Sequence, residues 1–206
     1  AACIPTARNS QRGGFRMSLA SVVPVIAVSC YLFLLLALMA SRKTRLIIAF
    51  IWVLISCVLW TGGAFLMRQR VTPGIKFWYD ISLFGLLLLP YALLHFIQGF
   101  AGIKASPLTH AWGVLLIAAF IVNTKTGLLL AAPRFISDET GSRFVYTITC
   151  PVTVLAVLLL SIVTHMNIII WRMHRTDQVR SRAFRPVAFG LFALMVGHIL
   201  LLLPPF

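Results

Sequence analysis

Six stretches of the sequence are close to the length that crosses a lipid bilayer and carry almost no charged residue. A transmembrane helix needs roughly 20 consecutive, predominantly apolar residues. The 206 residues are 60% hydrophobic and only 11% charged, whereas soluble domains are about half apolar and a quarter charged. We therefore predict an all-α fold, a polytopic membrane bundle of six transmembrane helices.

The connectors between these spans are mostly short, so neighbouring helices should be antiparallel in an up-and-down arrangement. The spans run roughly over Met17–Ala40, Leu46–Met67, Phe77–Phe100, Leu108–Asn123, Phe144–Trp171 and Pro186–Phe206. The longest connector contains "GLLLAAP", residues 127–133, which is too short to span and is expected at the membrane interface. Residues 1–16 are interpreted as an N-terminal extension or the remnant of a targeting peptide, and residues 17–206 as a single bundle.

The net charge of +14 comes from Lys and Arg residues that lie mostly in the connectors. There they can meet anionic lipid headgroups, so the bilayer itself is the predicted partner and nucleic acid is not. Counting Lys and Arg on the two sides gives a tie, and we orient the chain by the arginine-rich stretch Arg172–Arg185, which is predicted to be cytoplasmic. The N-terminus is then outside.

Polar residues of the third span form a stripe along one helix face. Asp80, Tyr91 and Gln98 fall nearly on one line at 100° per residue. A charged group inside a bilayer is costly and normally faces the bundle interior. Asp80, Tyr91 and His198 of the sixth span are therefore predicted to line a ligand-binding pocket, unless Asp80 merely pairs with Lys76 one turn earlier.

A second polar cluster is predicted near the cytoplasmic side, from His95, Gln98 and His165. Hydrogen bonding between helices is the simpler role for such side chains. No metal site and no cofactor is predicted, although His95 and His165 on separate helices leave haem ligation open. The sequence contains no pair of carboxylates placed for acid–base catalysis and no Gly-rich phosphate loop, so we do not expect an enzyme.

Two motifs carry a family resemblance. They are "LWTGGAFL" in the second span and "KFWYDISLFGLLLLPYALLHFIQGFAG" in the third. These motifs, with Asn123 at the end of the fourth span, resemble the N-terminal seven-span sensor region of bacterial histidine kinases and diguanylate cyclases. The matching positions are Trp60, Gly63, Trp78, Gly85, Pro90, Phe96, Gly102 and Asn123. The sequence departs from the family in "NTKTGLL", where a His pair is common, and in ending at "LLLPPF" after the sixth span, before a seventh span or an effector domain.

The resemblance implies a sensory input module that couples an extracytoplasmic or intramembrane signal to a cytoplasmic effector domain, as in two-component signal transduction. The expected location is the bacterial cytoplasmic membrane, and an oligomer is expected. The alternative is a non-catalytic accessory subunit of a larger bacterial or mitochondrial inner-membrane complex, whose other subunits would be its partners. The high content of Lys and Arg and the N-terminal residues 1–16 favour that alternative.

Overall fold

The computed structural model describes residues 19–138, 141–145 and 152–176, together with Arg182, Phe184, Pro186 and Gly190. Its helices are α1 (Leu19–Met39), α2 (Arg45–Arg68), α3 (Ile75–Ala101), α4 (Pro107–Thr126) and α5 (Val152–Thr176). All five are long and apolar enough to cross a membrane. The prediction of an all-α, polytopic membrane bundle is confirmed. Of the sixth predicted span, only Pro186 and Gly190 are described, and both are helical.

The helices alternate in direction, so their connectors lie on two sides. The α2–α3 loop and the long connector after α4 lie on one side. The connector after α4 contains an antiparallel β-hairpin, so we call this side the hairpin side. The strands of the hairpin are β1 (Arg134–Asp138) and β2 (Gly141–Val145), with Arg134 opposite Val145. The side of the α1–α2 and α3–α4 connectors is called the loop side.

Local sequence signals explain where the helices on the loop side start and stop. Thr44 caps α2 by accepting a hydrogen bond from the backbone N–H of Ile47 at 3.2 Å, and Ser106 caps α4 in the same way through Thr109. A side-chain oxygen at this position satisfies an N–H group that has no partner inside the helix. Helix α3 ends at Ala101 and is capped by Gly102, whose φ of 70° is the left-handed conformation that glycine adopts without strain.

Helices α2 and α3 cross in direct backbone contact, and glycine makes this possible. A Cβ atom at Gly85 would lie 2.5 Å from the backbone nitrogen of Trp60, and one at Gly63 would lie 2.8 Å from that of Ser82. Across the same crossing the Ser82 hydroxyl donates to the carbonyl oxygen of Trp60 at 2.9 Å. Small residues and interhelical hydrogen bonds are the usual means by which membrane helices associate.

Helix α3 is the centre of the bundle and the most buried of the five helices. It packs against α2, α4 and α5, whereas α1 packs against α2 and exposes most of its apolar surface. One face of α5 is buried in the core, through Leu155, Ile162, Met166, Ile169 and Met173. Beyond α5, the ring of Phe184 is 5.0 Å from that of Phe100 at the end of α3, and Phe184 is 1% exposed.

The predicted start of the fifth span at Phe144 is wrong. Residues 141–145 form strand β2, and α5 begins at Val152 and continues past Trp171 to Thr176. Pro151 directly precedes α5 in the sequence. Proline disfavours a helical conformation in the residue before it, so a helix running from Phe144 through position 151 would have been interrupted.

The "GLLLAAP" segment folds back onto the end of the bundle. Leu129 is buried, and Leu130 and Ala132 pack against the core. Asn123 holds the segment, since its Oδ1 accepts from the backbone N–H groups of Leu129 and Leu130 and its Nδ2 donates to the Leu130 carbonyl. The Tyr79 hydroxyl of α3 donates to the same carbonyl oxygen at 3.0 Å. The connector is therefore fastened to both α3 and α4.

Candidate functional site

The polar residues near the loop side of α3 are joined by a buried network. Nε2 of Gln98 donates to Oγ1 of Thr109 at 2.7 Å, and that oxygen is 3.1 Å from Oγ of Ser106. Gln98 and Thr109 are both buried, and among the residues that the structure describes Oε1 of Gln98 has no hydrogen-bond partner. A buried acceptor without a donor costs about 1–3 kcal/mol, so Gln98 is a place where a bound polar group would be stabilising.

His95 lies one helical turn before Gln98 and is half-buried. Its ring meets that of Tyr91 edge-on, with 4.6 Å between the centroids, and lies 6.3 Å from the ring of His110 on α4. Tyr91, His95 and His110 thus form a short row of aromatic rings between α3 and α4. The row places two titratable imidazoles close together at the loop-side end of the bundle.

A cleft of about 620 Å³ opens beside this row, between α2 and α3. We call it the α2–α3 cleft. Its polar and aromatic lining residues are Arg45, Trp52, Tyr91, His95, Gln98 and Lys104. The remaining lining is mostly aliphatic, and the cations Arg45 and Lys104 are exposed at its loop-side rim. A volume of this size fits the range of small-molecule sites, which lies at roughly 300–1,000 Å³.

A smaller cleft of about 260 Å³ lies on the other side of Tyr91, between α3 and α4. We call it the α3–α4 cleft. Phe84 and Phe120 form one end of it, with their ring centroids 5.1 Å apart. Gly113 makes room for the Tyr91 ring, because a Cβ atom there would lie 2.9 Å from two of its ring carbons. The Tyr91 side chain is consequently a wall of both clefts.

Asp80 lines neither of these clefts and precedes Phe84 of the α3–α4 cleft by one helical turn. The Asp80 side chain is half-buried near the start of α3 on the hairpin side. The positive charge of Lys76, one helical turn earlier, attracts its carboxylate. Tyr91 follows Asp80 by eleven positions in the same helix, which at 1.5 Å per residue is about 16 Å along the axis. His198 lies outside the described residues. The predicted pocket of Asp80 and His198 therefore stays a prediction.

His165, the third member of the predicted loop-side cluster, has a partner of its own. Nε1 of Trp112 on α4 donates to Nδ1 of His165 on α5 at 3.3 Å. The ring of His95 instead lies beside the rings of Tyr91 and His110. Haem ligation through His95 and His165 stays a prediction. Other polar groups of α5, including those of Ser161 and Asn167, donate to carbonyls of their own helix.

Several residues of the α2–α3 cleft were not predicted from the sequence. Arg45 and Lys104 belong to two different connectors and were interpreted only as contributors to membrane topology. A usable signal was present, because both cations flank spans at the same predicted membrane surface. Trp52 lies in the apolar part of α2 and gives no hint of a cleft until α3 is packed beside it.

Five of the residues that carry the family resemblance have structural roles apart from these clefts. Trp60, Gly63 and Gly85 form the α2–α3 crossing. Trp78 fastens the loop before α3 by donating from Nε1 to the Val71 carbonyl at 2.9 Å, and Asn123 fastens the connector after α4. The resemblance therefore describes how the bundle is assembled.

The chain was compared with protein families, curated proteins and solved structures. The family model described as the N-terminal 7TM region of histidine kinase matches residues 20–206. Neither the comparison with curated proteins nor the comparison with solved structures found a match.

Proposed function

Because this chain belongs to the family of the N-terminal 7TM region of histidine kinase, we propose that it is a non-catalytic sensory input region that controls a cytoplasmic effector domain. The single observation that carries the proposal is the match over residues 20–206, which covers α2 to α5 and all of α1 except Leu19. The proposed location is the bacterial cytoplasmic membrane, with the hairpin side outside and the loop side in the cytoplasm. Arg172 and Arg175 at the end of α5 support that orientation.

The packing suggests how a signal would travel. The α2–α3 cleft reaches Gly99 near the end of α3, and the next residue, Phe100, contacts Phe184 in the chain that follows α5. Phe184 is buried, so a shift of the end of α3 would displace it. The family places its effector after the last span, and Phe184 is on the way to that end of the chain. We propose that the Phe100–Phe184 contact passes the change to the effector.

Isolation of the protein from its own membrane tests this function. A tag on the encoded full-length protein allows it to be purified and incubated with labelled ATP. We expect an acid-labile, base-stable phosphate, typical of phosphohistidine, on the same polypeptide or on a stoichiometric partner. Isolation in a stoichiometric complex of membrane subunits that contains no kinase would instead support the accessory-subunit alternative and overturn the proposal.

A pair of variants tests the coupling step. Phe184→Ala should change the rate of autophosphorylation at least about fivefold, the lower end of ordinary coupling between sites. The matched control is Phe33→Ala on α1, whose ring is 72% exposed; its rate should stay at the wild-type value. Equal rates in both variants would exclude the Phe100–Phe184 route.

A further inference from the structure

We infer that the α2–α3 cleft binds one anionic membrane phospholipid, with the phosphate at the loop-side rim and an acyl chain along the apolar wall. This deepens the proposed function by assigning a ligand class to the sensory region. Lipid retention can be measured without any kinase, so the two proposals can fail separately.

Charge at the rim favours a phosphate. Arg45 and Lys104 are the two cations that line the cleft, and both are exposed. Arg45 is also the first residue of α2, and the positive end of a helix dipole favours an anion at that position. The acidic residues that the structure describes, Asp80 and Asp138, both belong to the hairpin side. A phosphate at the rim would therefore meet two cations with no described carboxylate in competition.

The wall of the cleft matches an acyl chain. Ile48 and Trp52 of α2 line it and are 44% and 52% exposed, so the cleft is open towards the surrounding lipid. On α3 the lining extends from Leu88 to Gly99, about 16 Å at 1.5 Å per residue. An apolar channel of this length that ends at two cations is complementary to an amphiphile lying parallel to the helices.

Gln98 adds a polar group to the wall. It lines the cleft, its side chain is buried, and its Oε1 is without a hydrogen-bond partner in the described part of the chain. The neighbouring amide group is already bonded to Thr109. Gln98 therefore marks the polar end of the wall, between the apolar lining and the two cations at the rim. Phosphatidylglycerol carries the negative charge that Arg45 and Lys104 would bind, so it is a suitable probe.

The test uses the purified chain in nanodiscs containing equal amounts of phosphatidylglycerol and phosphatidylcholine. Native mass spectrometry after release from the bilayer then reports which lipid the protein retains. We expect wild type to retain a single phosphatidylglycerol. The double variant Arg45→Gln/Lys104→Gln should lose about fivefold in retention for each cation removed, roughly 25-fold together.

The chain offers a control of equal charge. Arg42 and Lys43 lie in the connector beside α2, are exposed and do not line the cleft. Arg42→Gln/Lys43→Gln should retain the lipid as wild type does. If both double variants lost lipid retention equally, the cations would act only by general attraction of anionic lipid to the protein surface. That result would contradict a specific site in the cleft. Displacement of the lipid by soluble glycerol 3-phosphate would identify a free phosphate ester as the ligand and also overturn the proposal.

A variant that fills the cleft tests the site independently of charge. It also distinguishes a loss of lipid retention through blocking from a loss through misfolding. A side chain at Gly99 is tolerated, because its nearest neighbour would be the Leu46 side chain at 3.8 Å, and Gly99 lines the cleft. Gly99→Leu should abolish retention without altering helicity. Gly62→Leu is the matched control, since a Cβ atom there has nothing within 4 Å. Unchanged retention in Gly99→Leu would contradict the assignment of the cleft.

Discussion

Asn123 makes three hydrogen bonds to the backbone of the segment that follows α4. Its Oδ1 accepts from the backbone N–H groups of Leu129 and Leu130, at 3.0 and 2.7 Å. Its Nδ2 donates to the Leu130 carbonyl oxygen. The side chain is buried, so water is a poor substitute for any of these bonds. One amide side chain thus determines the path of the chain on the hairpin side.

Replacing Asn123 by alanine tests this role. The N–H groups of Leu129 and Leu130 lose their acceptor, and we expect a cost of about 2 kcal/mol, within the usual penalty for unmade buried hydrogen bonds. Hydrogen exchange at these two amides should become roughly 30-fold faster. Thr124→Val is the control, because the Thr124 hydroxyl is buried and makes no hydrogen bond to any residue that the structure describes. Wild-type exchange in Asn123→Ala would show that packing alone holds the segment.

The pairing of α2 with α3 depends on the absence of side chains at two positions. At Gly85 the obstructing atoms are backbone atoms of α2, the Trp60 nitrogen at 2.5 Å and the Ser56 oxygen at 2.7 Å, which cannot rotate away as a side chain could. An added methyl group would push the helices apart. That movement would also weaken the hydrogen bond from Ser82 to the Trp60 carbonyl.

Gly85→Ala should therefore destabilise the bundle by about 1–3 kcal/mol, the usual cost of overpacking. Titration with a denaturing detergent, followed by circular dichroism, measures the difference from wild type. Gly62→Ala is the companion variant, because its Cβ atom has no neighbour within 4 Å. Since alanine favours a helix over glycine, Gly62→Ala should be neutral or stabilising. If Gly85→Ala behaved like Gly62→Ala, the close crossing would be absent in the membrane.

Helix positions were predictable because they depend on local composition. The predicted third span, Phe77–Phe100, lies within α3, Ile75–Ala101, since long apolar runs between polar connectors show little ambiguity. The strand at 141–145 was missed because apolar Phe144 and Val145 adjoin the apolar start of the next span. Hydropathy does not separate a short strand from the first turn of a helix.

The clefts were less predictable than the helices. The stripe of α3 was recognised, and Gln98 does meet a polar partner, but that partner is Thr109 of the neighbouring helix. Which helix faces a stripe depends on the packing of Gly63 and Gly85, and periodicity within one span carries no such information. For the same reason Arg45 and Lys104, distant in sequence, could not be assigned to one cleft.

The alternation of the helices fixes the relative positions of all connectors, so one labelling experiment orients the bundle. With the four cysteines replaced by alanine, a single cysteine is introduced either at Lys43 on the loop side or at Ser137 in β1. A membrane-impermeant maleimide added to intact cells should label Ser137→Cys and should label Lys43→Cys only after lysis. The reverse pattern would invert the orientation and place the rim of the α2–α3 cleft outside the cell.

The position of Tyr91 has a thermodynamic consequence. One ring forms a wall of two cavities, of about 620 and 260 Å³, so a ligand that displaces the ring enlarges one at the expense of the other. By reciprocity, an occupant of either cavity that lowers affinity in the other by some factor has its own affinity lowered by the same factor. Ligands that bind the two clefts by moving the Tyr91 ring in opposite directions would therefore weaken each other's binding.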